Sequence, residues 1–143
     1  MSFASEAERL VQRYKLANVR LIDADIYDVD ESRIEPADVV IAADVLEHFE
    51  DLSVPARRLR DWLRDDGYLF TSGPSENLLT RLGRRAGGME KPPDHYHTGY
   101  EVEAFLESHG FEKLHSCHVY RVLPMYILSV WKKSSGAIGL RLR

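Results

Sequence analysis

Apolar positions in the first quarter of the chain recur at helical spacing. Ala7, Leu10, Val11 and Tyr14 share one face behind Ser5 to Glu8, an S-x-x-E capping box. The pattern predicts a helix over Glu6–Leu16 with Asn18 as its stop. Val19–Ile22 reads as a short apolar strand, followed by the carboxylates of Asp23–Asp28 (DADIYD). Ala37–Ala43 (ADVVIAA) is a continuous apolar run, the pattern of a strand buried on both faces of a parallel sheet. Ser53 and Pro55 open a helix whose inner side carries Leu59, Trp62 and Leu63. Asp66-Gly67 then turns the chain into a strand over Tyr68–Thr71 that ends at Gly73-Pro74.

From Pro74 to Pro93 the periodicity is lost, and the composition predicts a short helix over Asn77–Arg85 followed by a mobile loop. Thr98–Glu101 is a second capping box, with Val102, Phe105 and Leu106 as the apolar stripe behind it and Gly110 as a left-handed cap. Phe111–Val122 and Met125–Trp131, joined at Leu123-Pro124, predict an antiparallel hairpin. The tail from Lys132 is polar and expected to fray, which sets the expected domain at 1–133 and a tail at 134–143. Helices alternating with strands predict an α/β sheet, mostly parallel, with an antiparallel edge.

Composition narrows the function classes. At 143 residues, 44% apolar and 29% charged, the chain has the composition of one globular domain. A net charge of −4 argues against nucleic acid as a partner. The single cysteine, Cys117, allows no internal disulfide, fits a cytoplasmic setting, and reads as a small buried hydrophobe. The N-terminal stretch lacks the pattern of a signal peptide, and the longest apolar run, Leu123–Trp131, is too short to cross a membrane.

The ordered set ADVVIAADVLEHFEDL, an amphipathic helix, DDGYLFTSGP and HYHTGYEVEAFLESHGF resembles the class I S-adenosylmethionine (SAM)-dependent methyltransferases of the broad type 11 group. The resemblance implies a Rossmann-like methyltransferase fold, SAM as cofactor and methyl transfer to a small-molecule acceptor. It runs along nearly the whole chain, but the family's first strand, its G-x-G-x-G turn and the acidic residue after the second strand have no counterpart here. The chain therefore resembles the C-terminal two-thirds of such a domain, and a non-catalytic remnant or interaction module is the rival reading. The family's strand order, 3-2-1-4-5-7-6, would leave Ala37–Ala43 with an open edge at the sheet's middle. That implies a homodimer or higher oligomer with this edge, or the helix Glu6–Leu16, in the interface.

By the same resemblance, Asp25 would accept the adenine amino group and the Ile26 backbone N–H would meet the ring, while Ala43 and Asp44 would contact SAM at the strand end. A solvated loop carboxylate is the other reading of Asp25. Asp44, Glu47 and His48 form D-x-x-E-H where an open α/β sheet binds its ligands. Small-RNA 2′-O-methyltransferases and ubiquinone-biosynthesis O-methyltransferases carry E-x-x-E-H here and use it for a divalent cation. Asp44, Glu47, His48 and His95 are thus candidate ligands for Mg²⁺, against a reading in which Glu47 and His48 only cap the next helix. Without a metal, His48 and Glu47 remain candidate catalytic residues, with the imidazole as general base. The D-x-x-E-H match slightly favours O-methylation. Arg81, Arg84, Arg85 and Lys91 either meet an anionic substrate or form a solvated face. Tyr96, Tyr100, Met125 and Tyr126 either line an acceptor pocket or pack in the core.

Overall fold

The computed structural model describes residues 3–75, 94–119 and 125–134. The chain divides into two compact units, Met1–Glu31 and Ser32–Arg143.

In the first unit, helix α1 spans Phe3–Tyr14. Ser5 therefore lies inside the helix and does not cap it. The helix closes four residues before Asn18: Lys15 takes a left-handed backbone, φ 51°. Its N–H reaches the Gln12 carbonyl at 3.2 Å and the Leu16 N–H reaches Val11 at 3.0 Å. These two bonds satisfy carbonyls the last turn would otherwise leave open, with a lysine in the position glycine usually takes. Val19–Ile22 is not a strand. The segment lies beside α1, where Leu21, Ile22 and Asp23 line a groove of about 250 Å³ with Ala4, Ala7 and Glu8.

The second unit is built on a four-stranded sheet. Its strands are β1 (Ala37–Ala43), β2 (Leu63–Pro74), β3 (Phe111–Val119) and β4 (Tyr126–Lys133), in the spatial order β1-β2-β4-β3. β1 pairs parallel with β2, and β4 pairs antiparallel with both β2 and β3. This is the 4-5-7-6 part of the expected order, with β1 at an edge. Helices α2 (Ser53–Asp61) and α3 (Gly99–Ser108) supply the core against it. Leu59 and Ala56 from α2 and Val102 and Leu106 from α3 cluster with Ala42, Leu69 and Trp131 of the sheet. The Thr98 capping box forms as its sequence predicts, with the Glu101 N–H on the Thr98 hydroxyl and the Thr98 N–H on the Glu101 carboxylate. Gly110 takes the left-handed cap at φ 86°.

Four expectations are corrected. β1 is not buried on both faces: Ala42 is buried, while Val39 and Ile41 are 48% and 70% exposed. The α2–α3 core covers one face of the sheet, and Tyr68, Phe70 and Leu128 lie exposed with them. Cys117 is likewise exposed, lining a shallow apolar depression with Ile41, Phe70 and Leu128. Asp66-Gly67 does not separate helix from strand, because β2 already begins at Leu63, directly after α2. The dipeptide lies where the register jumps from Ala37↔Leu63 to Val39↔Tyr68. A Cβ on Gly67 would fall 3.0 Å from the Ala37 carbonyl oxygen, so this irregularity needs glycine. Lys132 and Lys133 are not frayed: they extend β4 and reach Asp66 and Asp65 at 3.2 and 3.1 Å. The helix expected at Asn77–Arg85, the cationic residues from Arg81 to Lys91, and the Leu123-Pro124 turn lie outside the described residues.

Candidate functional site

The carboxyl end of β1 breaks sharply. Asp44 has a left-handed backbone, φ 52°, which is uncommon for a residue with a side chain. Ser72 on the neighbouring strand holds it there: the Asp44 N–H donates to the Ser72 hydroxyl at 3.1 Å, and that hydroxyl donates to the Asp44 carboxylate at 3.0 Å. The chain then winds into one 3₁₀ turn, Leu46–His48, which buries Leu46 in the core and places Glu47 and His48 side by side.

Glu47 is 2% exposed, and its Oε2 has no hydrogen-bond partner among the described residues. Burial pushes its carboxyl above the usual carboxylate range. Its own backbone N–H opposes that shift, the charge of Asp44 adds to it, and the imidazoles of His48 and His95 oppose it.

A strap at residues 94–98 closes over this turn. The Tyr96 N–H donates to the Glu47 carbonyl at 2.8 Å and the His97 N–H approaches the same oxygen at 3.4 Å. His95 thereby meets His48 edge to face, with ring centroids 4.7 Å apart. Glu47, His48 and His95 each offer a ligand atom, and these atoms all lie within 4.8 Å of one another. Asp94 completes the arrangement, with both its carbonyl oxygen and its carboxylate 3.2 Å from His48 Nδ1. Two acceptors at Nδ1 require that nitrogen to carry the proton, so in the neutral ring the lone pair sits on Nε2.

The structure thus brings Glu47, His48 and His95 together, while the Asp44 carboxylate is engaged with Ser72. His97 turns away, its Nε2 3.2 Å from the Glu50 carbonyl. Asp94 received no role from the sequence, where the only signal was a carboxylate beside His95. Asp25 and Ile26 lie in the first unit. The Asp25 side chain accepts the Tyr27 N–H at 2.9 Å and its carbonyl accepts from Asp28 and Val29, so an exposed carboxylate caps a tight turn. Tyr96, Tyr100, Met125 and Tyr126 are all exposed rather than core residues, and the Tyr100 hydroxyl meets His118 Nε2 at 2.7 Å.

A cofactor such as SAM can be tested against these groups in part. Asp25 offers an exposed carboxylate and Ala43-Asp44 a strand end, but the sequence contains no G-x-G through which a backbone could approach it closely.

A family model described as a methyltransferase domain matches residues 3–116. Similar folds occur in the N-methyltransferase NodS of Bradyrhizobium japonicum WM9, solved with S-adenosyl-L-homocysteine (17% identity, TM-score 0.64, covering 89% of this chain and 61% of that one). Magnesium protoporphyrin IX methyltransferase of Synechocystis PCC 6803, also with S-adenosylhomocysteine, gives 20% identity and a TM-score of 0.67, covering 92% and 59%. The 1,6-didemethyltoxoflavin-N1-methyltransferase of Burkholderia thailandensis gives 18% and 0.64, covering 91% and 57%. The chain spans about six-tenths of the length of these structures. No curated protein sequence matches it. Among the described residues no helix is long and apolar enough to cross a membrane.

Proposed function

Since the chain belongs to the methyltransferase domain family, we propose that it serves SAM-dependent methyl transfer to a small-molecule acceptor, an oxygen being slightly favoured over nitrogen or carbon. The observation that carries this reading is the cluster of Glu47, His48 and His95 at the carboxyl end of a parallel strand, where open α/β sheets take their ligands. Methyltransferases of similar fold are named for magnesium protoporphyrin IX and for 1,6-didemethyltoxoflavin, both small molecules.

SAM supplies a methyl group already activated on a sulfonium, so the protein's work is alignment and proton removal. His48 takes the proton of an acceptor hydroxyl on Nε2, because Nδ1 is committed to Asp94. The strap anchored on the Glu47 carbonyl keeps His95 against His48. On the cofactor side, Asp25, Ile26, Ala43 and Asp44 are the residues proposed to contact SAM.

Transfer of labelled methyl from SAM to a panel of small hydroxylated acceptors tests the proposal. Replacing His48 by Ala should lower the rate roughly 10²–10⁴-fold, the range of a lost general base. No transfer above background at millimolar SAM, or full activity in the variant, overturns it. Without a G-x-G turn, SAM should bind more weakly than roughly 0.1 mM, about −5.5 kcal/mol; a low-micromolar dissociation constant by calorimetry refutes that expectation.

The rival reading, a non-catalytic interaction module, draws on one observation: the exposed sheet face of Val39, Ile41, Tyr68, Phe70 and Leu128 beside the edge strand β1. Either reading fits a cytoplasmic protein that self-associates through that edge or through α1. Light scattering of a stable 16.4 kDa monomer at micromolar concentration refutes self-association.

A further inference from the structure

We propose that Glu47, His48 and His95 bind a divalent first-row transition-metal ion of the zinc type, and not Mg²⁺. This goes beyond the methyl-transfer reading and does not depend on SAM being bound; in the ion-bound protein His48 Nε2 is a ligand, so the general-base role given to it above belongs to the ion-free protein.

Three observations point to it independently. The first is spacing. Ligand atoms of a tetrahedral zinc site, each about 2.1 Å from the ion, lie about 3.4 Å from one another. One ligand atom from each of the three residues already lies within 4.8 Å of the others, close to that spacing.

The second is the unpartnered oxygen of Glu47. A carboxylate 98% removed from solvent normally has its oxygens satisfied, yet Oε2 has no partner among the described residues. A cation between Glu47 and the two imidazoles supplies that partner.

The third is the orientation of His48. Metal-bound histidines characteristically donate their other ring N–H to a carboxylate or a backbone carbonyl, which fixes the tautomer and the ring plane. His48 Nδ1 has both kinds of acceptor, from the one residue Asp94.

The donor set then selects the ion. Two imidazoles and one carboxylate suit zinc and its first-row neighbours, and the same trio occurs in zinc hydrolase sites with one position left open. Mg²⁺ prefers oxygen ligands and retains its waters. The second carboxylate that D-x-x-E-H offers is engaged with Ser72. His48 and His95 are partly exposed, so an ion can enter from solvent and keep a position for water or an acceptor oxygen. Such an ion lowers the pKa of the oxygen it holds.

The test is calorimetric titration of the chelator-treated full chain with Zn²⁺ and, separately, Mg²⁺, paired with thermal unfolding. Zn²⁺ is expected to bind at micromolar concentration and raise the unfolding temperature by linkage, and millimolar Mg²⁺ to do neither. Glu47→Gln and His95→Gln should each weaken Zn²⁺ binding by more than about 100-fold, and Asp94→Asn by about 10-fold or more, the usual cost of losing an orienting partner. His97→Gln should leave binding unchanged. If Glu47→Gln does not fold, His95→Gln carries the test, since its side chain lies on the strap outside the core.

Two results overturn the proposal: no Zn²⁺ binding tighter than about 0.1 mM, or binding that survives His95→Gln, which would assign the ion to other histidines such as His115 and His118. Equal binding of Mg²⁺ overturns the choice of ion. The titration contains neither SAM nor acceptor, so its failure leaves the methyl-transfer reading standing, and a failed transfer assay leaves the metal site standing.

Discussion

Replacing Glu47 by Gln in the metal-free protein should make it more stable near neutral pH. The carboxylate is 2% exposed with one oxygen unpartnered, and such a group carries a desolvation cost of about 1–3 kcal/mol, more when charged. Glutamine keeps the volume and loses the charge. It still places an amide where one oxygen lacks a partner, so the gain should fall at the low end, about 1 kcal/mol. For a chain of this length that is roughly 3–5 °C in unfolding temperature. The pH dependence gives the sign. Because burial raises the folded-state pKa of Glu47 above its ordinary 4.5, the native state binds more protons than the unfolded state between those two values. The group's contribution is therefore fully present below pH 4.5 and is lost as pH rises through the folded-state pKa. Wild type and variant should match in acid and separate toward neutral pH, with the variant higher. Scanning calorimetry across pH after chelator treatment reads this directly. Parallel curves, or a variant less stable at neutral pH, would refute the account of Glu47 as an uncompensated buried acid.

Two further substitutions test the packing that carries the site. Glu103 on α3 is buried and accepts from Ser129, from Ser116 at 3.0 Å and from Lys113 at 3.2 Å. Glu103→Ala should cost about 2 kcal/mol in urea unfolding, because it leaves the Ser129 and Ser116 hydroxyls without their shared acceptor while Lys113 keeps Glu107 at 2.8 Å; a loss under about 1 kcal/mol would show the network to be solvated. Gly99→Ala should cost about 1–3 kcal/mol by overpacking, since the added Cβ would fall 2.3 Å from Ile127 Cγ2. A neutral result there would mean that α3 can shift away from the sheet.

The elements legible in the sequence are those with local causes. The Thr98 capping box, Gly110 and the β3–β4 pairing each depend on residues close in sequence or on strict alternation. Where the cause was distant, the sequence misled. An apolar run identifies a strand, but the faces of β1 that become buried depend on which helices pack there, so Ile41 and Ala42 look alike in sequence and differ in the fold. Val19–Ile22 has strand composition and finds no strand to pair with. At the site, D-x-x-E-H indicated where the ligand-type side chains cluster. It did not reveal that Ser72, 28 residues away, engages Asp44, or that Asp94, 46 residues away, orients His48.

The close approach of Gly73 to Gly99 has a mechanical consequence. A Cβ on Gly99 would lie 3.3 Å from the Gly73 carbonyl oxygen, so α3 begins directly against β2. At its other end the strap of residues 94–98 is held by the Glu47 carbonyl. A segment without regular structure is thus clamped between a buried 3₁₀ turn and the central sheet, and His95 moves with the core rather than with the solvent. The Tyr96 amide should therefore exchange its hydrogen on the slow timescale of the sheet amides, orders of magnitude later than the exposed amides of the α1 end.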